Sequence, residues 1–225
     1  MVGTPTINPA VLANVPLFAM LNAGQLTTLA AAMSRRSVIK GRTVLNAGDA
    51  TDSLYIILAG RVKVQRQDDD GKEVILSVLG PGEHFGEMGL LDDEPRSATI
   101  VTLENCEFIS MTKENFDVFM QRNADMAMVI MRGLVKRLRE ADRKIESLAL
   151  LDVYGRVARV LIEFSEEVGG RKAVKNKLPR QDIAKMIGAS REMVSRVMKD
   201  LETEGYIEVE SDGTIVLKER ISSYL

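Results

Sequence analysis

Two short runs of helical periodicity meet at one glycine in the segment Leu178 to Lys199, LPRQDIAKMIGASREMVSRVMK, and that junction restricts the fold more than any other feature. Ile183, Met186 and Ile187 recur at the spacing that places side chains on one helix face, and Val194, Val197 and Met198 do so again after Gly188. Ser190 stands where a side-chain oxygen can accept from a free backbone N–H and open the second helix. Arg191, Glu192, Ser195, Arg196 and Lys199 then fall mostly away from the apolar face. Between Arg171 and Lys199 nine Lys or Arg face two acids, Asp182 and Glu192, a local balance of +7 in a chain whose formal charge is −2. That excess is what a docking duplex backbone requires.

A solvated amphipathic hairpin would show the same periodicity, so the flanking sequence has to decide. Arg and Glu in the first turn of a helix can reach guanine O6/N7 and cytosine N4 in the major groove, where each base pair is distinguishable. Downstream, Gly205-Tyr206-Ile207-Glu208-Val209 and Thr214-Ile215-Val216-Leu217 flank Asp212-Gly213 and read as a β-hairpin. Helix, turn, helix and hairpin together make a winged helix-turn-helix. Arg180, Gln181, Ser190, Arg191, Glu192, Ser195, Arg196 and Lys199 are its candidate DNA-contacting residues.

At 225 residues the chain can hold two cores. No apolar run approaches the roughly 20 residues of a membrane span, and no secretory signal is evident. The lone cysteine, Cys106, can neither close an internal disulfide nor by itself hold zinc or an iron–sulfur cluster. A reducing cytoplasm is expected. Cys106 lies in an alternating stretch and reads as a buried small hydrophobe.

Leu12 to Met33 has helical periodicity, with Leu17, Leu21, Leu26, Leu29 and Met33 as expected buried positions. Beyond Met33 the pattern changes to short apolar stretches between turn signals, and eight of the 17 glycines lie between Gly41 and Gly89. Such spacing predicts a small antiparallel barrel or jelly roll, with Asp69-Asp70-Gly71 at a hairpin tip. One segment departs from strand alternation, Gly82-Glu83-His84-Phe85-Gly86-Glu87-Met88-Gly89, followed by Glu94-Pro95-Arg96-Ser97. Glycines beside a short helical turn let backbone N–H groups converge on an anion, and Arg96 can add a charge-assisted fork. Glu87 can accept from a sugar hydroxyl. His84 reads as a solvated loop residue. No paired acid and base, metal-ligand cluster or nucleophile beside a histidine points to an enzyme.

Barrel, GEHFGEMGLLDDEPRSAT, long helix, LALLDVYGR and PRQDIAKMIGASREMVSRVMK, in that order, resemble the CRP/FNR superfamily of bacterial transcription regulators from about Leu17 to Leu217. The resemblance is closest to the cyclic-nucleotide-responsive CRP branch. The oxygen-sensing branch uses a cysteine cluster that this chain lacks, and His84 is poorly placed to serve as the axial ligand of the haem-binding sensors. The resemblance implies an α+β fold: a cyclic-nucleotide-binding β-barrel (jelly roll) over residues 1–115, a long dimerisation helix over 116–151 and a winged helix-turn-helix over 152–225. It further implies that Gly86 and Ser97 hold a cyclic phosphate, that Arg96 pairs its charge, that Glu87 takes the ribose 2′-hydroxyl, and that Leu76 and Met88 line the pocket, with no metal. Where cAMP-binding members place adjacent Thr and Ser on the long helix, this chain has Ala141 and Asp142. Asp142 fits the two-donor edge of guanine better than adenine N6. Arg139-Glu140-Ala141-Asp142 has the Arg-x-x-Asp spacing of several cyclic di-GMP sites, although an exposed i,i+3 ion pair would look the same. Both cAMP and cyclic di-GMP therefore stand as effectors.

Met131, Leu138 and Ile145, with Leu134, Ala141 and Leu148 as companion row, form a stripe that a parallel two-stranded coiled coil would bury. A homodimer reading a near-palindrome follows. The resemblance implies, through Arg191, Glu192 and Arg196 at the positions by which the CRP branch reads base edges, half-sites of the TGTGA type, with RNA polymerase as a further partner and no membrane. Asp152 is placed to cap the next helix. Alternatives are a ligand-independent CRP/FNR-type regulator and a cyclic-nucleotide-binding regulatory subunit of an enzyme. The latter would have no use for the winged helix.

Overall fold

The computed structural model describes residues 7–175 and 178–225, so Lys177 of the basic segment and residues 1–6 of the expected barrel domain lie outside the described residues. The chain divides into two compact units, with the division after Lys136.

The first unit opens with α1 (Pro9–Ala13), a 3₁₀ turn (Pro16–Phe18) and α2 (Ala23–Ala31), where one continuous helical pattern is expected from sequence. Pro16 at the start of the 3₁₀ turn breaks the run, and Asn22 restarts it through a reciprocal capping box with Gln25. Leu17, Leu26, Leu29 and Met33 are buried as their spacing implies, but Met33 already begins a strand. The strands are β1 (Met33–Val38), β2 (Thr43–Leu45), β3 (Ser53–Ala59), β4 (Val62–Gln67), β5 (Glu73–Leu79), β6 (His84–Phe85), β7 (Thr99–Thr102) and β8 (Cys106–Thr112), with the short helix α3 (Met88–Asp92) between β6 and β7. They form two four-stranded sheets in the orders β1-β8-β3-β6 and β2-β7-β4-β5, with antiparallel pairing. Gly71, at φ +82°, turns the β4–β5 hairpin at the expected tip.

Strand β3 explains why its sequence is apolar without alternation. Leu54 and Ile56 face a core shared with α1, α2, α4 (Lys113–Arg122) and the start of α5 (Ala124–Leu150), whereas Tyr55 and Ile57 face a second core between the sheets. A strand covered on both sides gains from apolar residues at every position. In the inter-sheet core Tyr55 stacks on Phe85 with ring centroids 5.2 Å apart, and Phe108 meets Phe85 edge-on at 5.6 Å. Cys106 is buried there and its thiol pKa is pushed up by burial, in keeping with a packing role. Opposite it, a Cβ on Gly60 would lie 2.6 Å from the Cys106 sulfur, so only glycine fits that close approach.

The second unit begins in the distal part of α5 and continues through α6 (Val153–Glu163), β9 (Glu166–Val168), β10 (Arg171–Val174), α7 (Arg180–Ile187), α8 (Arg191–Thr203), β11 (Ile207–Val209), β12 (Ile215–Leu217) and a closing 3₁₀ turn (Glu219–Tyr224). Its core joins Val157 and Leu161 of α6 to Ile183 and Ile187 of α7, Val194, Val197 and Leu201 of α8, and Ile207, Ile215 and Leu217 of the sheet. The expected hairpin is part of a larger sheet of order β11-β12-β10-β9. Asp152 caps α6 by accepting from the Gly155 N–H at 2.9 Å. Among the described residues no helix is long and apolar enough to cross a membrane.

A candidate phosphate pocket and a candidate nucleic-acid face

The candidates lie on three parts of the barrel: Leu76 in β5, Gly86, Glu87 and Met88 where β6 passes into α3, and Arg96 and Ser97 before β7, with Arg96 meeting Gly86 and Ser97 meeting Met88. Gly86 has φ +88°, the left-handed region that favours glycine, and a Cβ there would stand 2.5 Å from Arg96 Nη1 and 2.9 Å from the Ser53 carbonyl oxygen. The absent side chain lets the Arg96 guanidinium lie against the turn. Arg96 is 4% exposed. Its Nη1 donates to Gly86 O at 2.9 Å, and its Nη2 donates to Asp52 Oδ1 at 2.9 Å and to Ser53 Oγ at 3.4 Å. The buried Nε–H has no acceptor among the described residues. Glu87 is also buried, while Ser97, Met88 and Leu76 are exposed. Arg66 Nη1 holds the Ser97 carbonyl at 2.9 Å, which orients that residue. Gly89 packs too tightly for any side chain, since its Cβ would lie 2.3 Å from Glu94 O and from Thr51 Oγ1.

Asp52 and Ser53 are absent from the candidates read from sequence. The Ser53 hydroxyl donates to Asp52 at 2.7 Å, and this bond and the Arg96 charge hold the Asp52 carboxyl below the usual carboxylate range. Only the Asp-Ser pair just before an apolar strand hints at it in sequence, and its partner is far along the chain. His84 differs from expectation: it is half-buried in β6, paired with Ile56, and its ring lies 3.6 Å from where a Cβ on Gly133 of α5 would be. Pairing with β3 and the neighbouring helix shield it in part from solvent, which a two-residue strand does not announce by periodicity.

Arg139, Ala141 and Asp142 are on the distal stretch of α5, in the second unit, where Ala141 and Asp142 are exposed. Of the heptad rows read from sequence, Met131, Leu138, Ile145, Ala141 and Leu148 are exposed, and Leu134 alone departs from the stripe. Leu134 packs against the first unit's core, and the exposed large apolar residues of α5 are Met128, Met131, Val135, Leu138, Ile145, Leu148 and Leu150.

In the second unit Gly188 ends α7 at φ +66°, and Ser190 caps α8 by accepting from Met193 N–H at 3.1 Å. Arg156 of α6 fixes the turn from behind, donating through Nη1 to Ile187 O at 2.9 Å. Gln181, Ser190, Arg191, Glu192, Ser195, Arg196 and Lys199 are exposed and Arg180 is half-buried, so α8 presents one polar face while Val194, Val197, Met198 and Leu201 hold the other to the core. Replacing Ser190 with Ala removes one cap bond and is expected to lower unfolding stability by about 1 kcal/mol in a urea titration.

A ligand-binding type of β-barrel and a winged helix-turn-helix in one chain define a transcription regulator with a sensory domain. A family model for the cyclic nucleotide-binding domain matches residues 35–123, and one for the Crp-like helix-turn-helix domain matches residues 155–220. The chain is 34% identical over 202 residues to the cAMP-activated global transcriptional regulator Vfr of Pseudomonas aeruginosa, covering 87% of this chain and 94% of Vfr. A CRP-like cAMP-activated global transcriptional regulator of Mycobacterium tuberculosis is 30% identical, covering 92% of this chain and 94% of that protein. Among solved structures, the c-di-GMP responsive global regulator CLP of Xanthomonas campestris superposes with a TM-score of 0.75 at 31% identity, covering 87% of this chain and 99% of that one. The chain belongs to the CRP/FNR superfamily of transcription regulators.

Proposed function

We propose that this regulator is a homodimer whose DNA affinity is set by a cyclic nucleotide, cAMP or cyclic di-GMP, held in the N-terminal barrel. The observation that carries the reading is the buried guanidinium of Arg96 beside left-handed Gly86, with an Nε–H that no described residue accepts. A phosphate is the acceptor that geometry suits, with Ser97 adding a hydroxyl and Glu87 taking the ribose 2′-hydroxyl. Leu76 and Met88 are exposed apolar residues suited to cover a base. The relatives' names bring in both effectors. Ala141 offers no hydrogen bond, whereas the exposed Asp142 can accept both donors of a guanine edge, with Arg139 one helical turn before it.

Dimerisation is supported by the exposed stripe on α5, where Met131, Leu138 and Ile145 are 49%, 63% and 65% exposed. A second copy in parallel register would cover it and bring Asp142 beside the partner. The functional division we favour is barrel over 1–115, a dimerisation segment over 116–151 whose long helix is α5, and a DNA-binding domain over 152–225. A ligand that binds one packing of the two helices more tightly would shift the population towards DNA-competent dimers. Two α8 helices about one DNA turn apart would then read an inverted TGTGA-type repeat in the cytoplasm, in concert with RNA polymerase.

Calorimetry against cAMP, cGMP and cyclic di-GMP tests the ligand. Asp142→Ala should weaken cyclic di-GMP about tenfold or more, the scale of one hydrogen bond to a charged group, and leave cAMP nearly unchanged. Tight cAMP binding by the wild type together with an Asp142→Ala protein that behaves identically towards cyclic di-GMP would sink the guanine reading.

A further inference from the structure

The buried Arg96 is already engaged by an anion of the chain itself. A guanidinium offers Nε–H and the neighbouring Nη2–H as one two-pronged fork. In this structure Nε is unaccepted, while Nη2 is engaged by Asp52 at 2.9 Å and Ser53 at 3.4 Å, enough to use both of its hydrogens. A phosphate entering that fork needs both prongs. The Asp52 side chain is 80% exposed against 3% for Arg96, so it can swing into water at little cost, whereas Arg96 cannot follow it.

We infer that Asp52 is a resident anion that an incoming cyclic phosphate displaces from Arg96 Nη2, so that Asp52 lowers ligand affinity and shortens ligand residence. This rests on the reading of Arg96 as the phosphate contact. It also assigns Asp52 a second effect of opposite sign. In the empty barrel the carboxylate compensates a buried cation, and removing it leaves that charge less well paired. A residue that merely held Arg96 in place would move affinity and stability the same way.

The test is the Asp52→Asn protein, which keeps the shape of the side chain and loses its charge, with Asp52→Ala as a second variant. Calorimetry with cAMP and with cyclic di-GMP should show about two- to fivefold tighter binding of the ligand that the wild type takes, the scale of one exposed ion pair. Stopped-flow displacement should show slower dissociation, and thermal melts of the ligand-free protein should fall below the wild type. Affinity unchanged or weakened in both variants would overturn the inference while leaving the phosphate site in place. An Arg96→Lys protein that binds as tightly as the wild type, or a wild type without affinity for either nucleotide, would remove the site reading and the inference with it.

Discussion

Replacing Arg96 with Leu should lower cyclic nucleotide affinity by about a hundredfold or more, since each hydrogen bond to a charged group contributes about 1.5–3 kcal/mol and the fork offers two. The loss should be seen by calorimetry with the fold intact. The packing around Arg96 argues for that: Tyr55, Phe85 and Phe108 form the inter-sheet core independently of the guanidinium, and the carboxylate left behind, Asp52, is exposed to water. Melts should drop, because Gly86 O and Ser53 Oγ lose their donor. Arg96→Lys guards against a folding artefact, keeping the charge without the planar fork. An Arg96→Leu protein that folds and binds with wild-type affinity would place the phosphate elsewhere.

Arg191→Ala should relax preference at one guanine of each half-site, at a cost of about 1–3 kcal/mol in discrimination. Lys199→Ala should weaken all sequences alike and lower the salt slope by about one unit. The two residues differ by where α8 carries them. Arg191 occupies the first helical position after the Ser190 cap, where side chains project beyond the helix end, and Lys199 is two turns further on, suited to a phosphate. Arg180 should behave as Lys199 does, the uncharged Gln181 and Ser195 should leave the salt slope unchanged, and Glu192 and Arg196 should alter the recovered sequence. Selection from random duplexes reads both effects. Recovery of a motif unrelated to TGTGA, or unaltered preference in Arg191→Ala, would mean that another element reads the bases.

How legible each part is in the sequence follows from how local its cause is. The helix-turn-helix is carried by residues within a few turns of one another: the two apolar rows, Gly188 at positive φ and the Ser190 cap all act within a short segment. The barrel strands are legible for the same reason, since turn glycines such as Gly71 delimit them. Strands β9 and β10 are hidden, because Glu166, Glu167, Arg171 and Lys172 make them look like solvated chain, and only the pairing of β10 with β12 and of β9 with β10 reveals them. Leu134 sits at a heptad position by sequence, and only the nearby core decides that it faces inward. Asp52 depends on Arg96, 44 positions away, and no local pattern connects them. The cassette glycines are visible in sequence, but what their missing side chains make room for is not: the Arg96 guanidinium at Gly86 and the Thr51 hydroxyl at Gly89.

The place of β8 in its sheet has a consequence for synthesis. It is the last strand of the barrel to be made, yet it lies between β1 and β3, pairing Met33 with Met111 on one side and Leu54 with the same Met111 on the other. While the ribosome is still short of Cys106, β1 has no partner and β3 carries an open edge beside its apolar residues, the condition that invites pairing with another chain. Loop closure over that separation is slow compared with local hairpins such as β4–β5. The nascent barrel should therefore draw on holding chaperones until Thr112 has left the exit tunnel, and then close in one step.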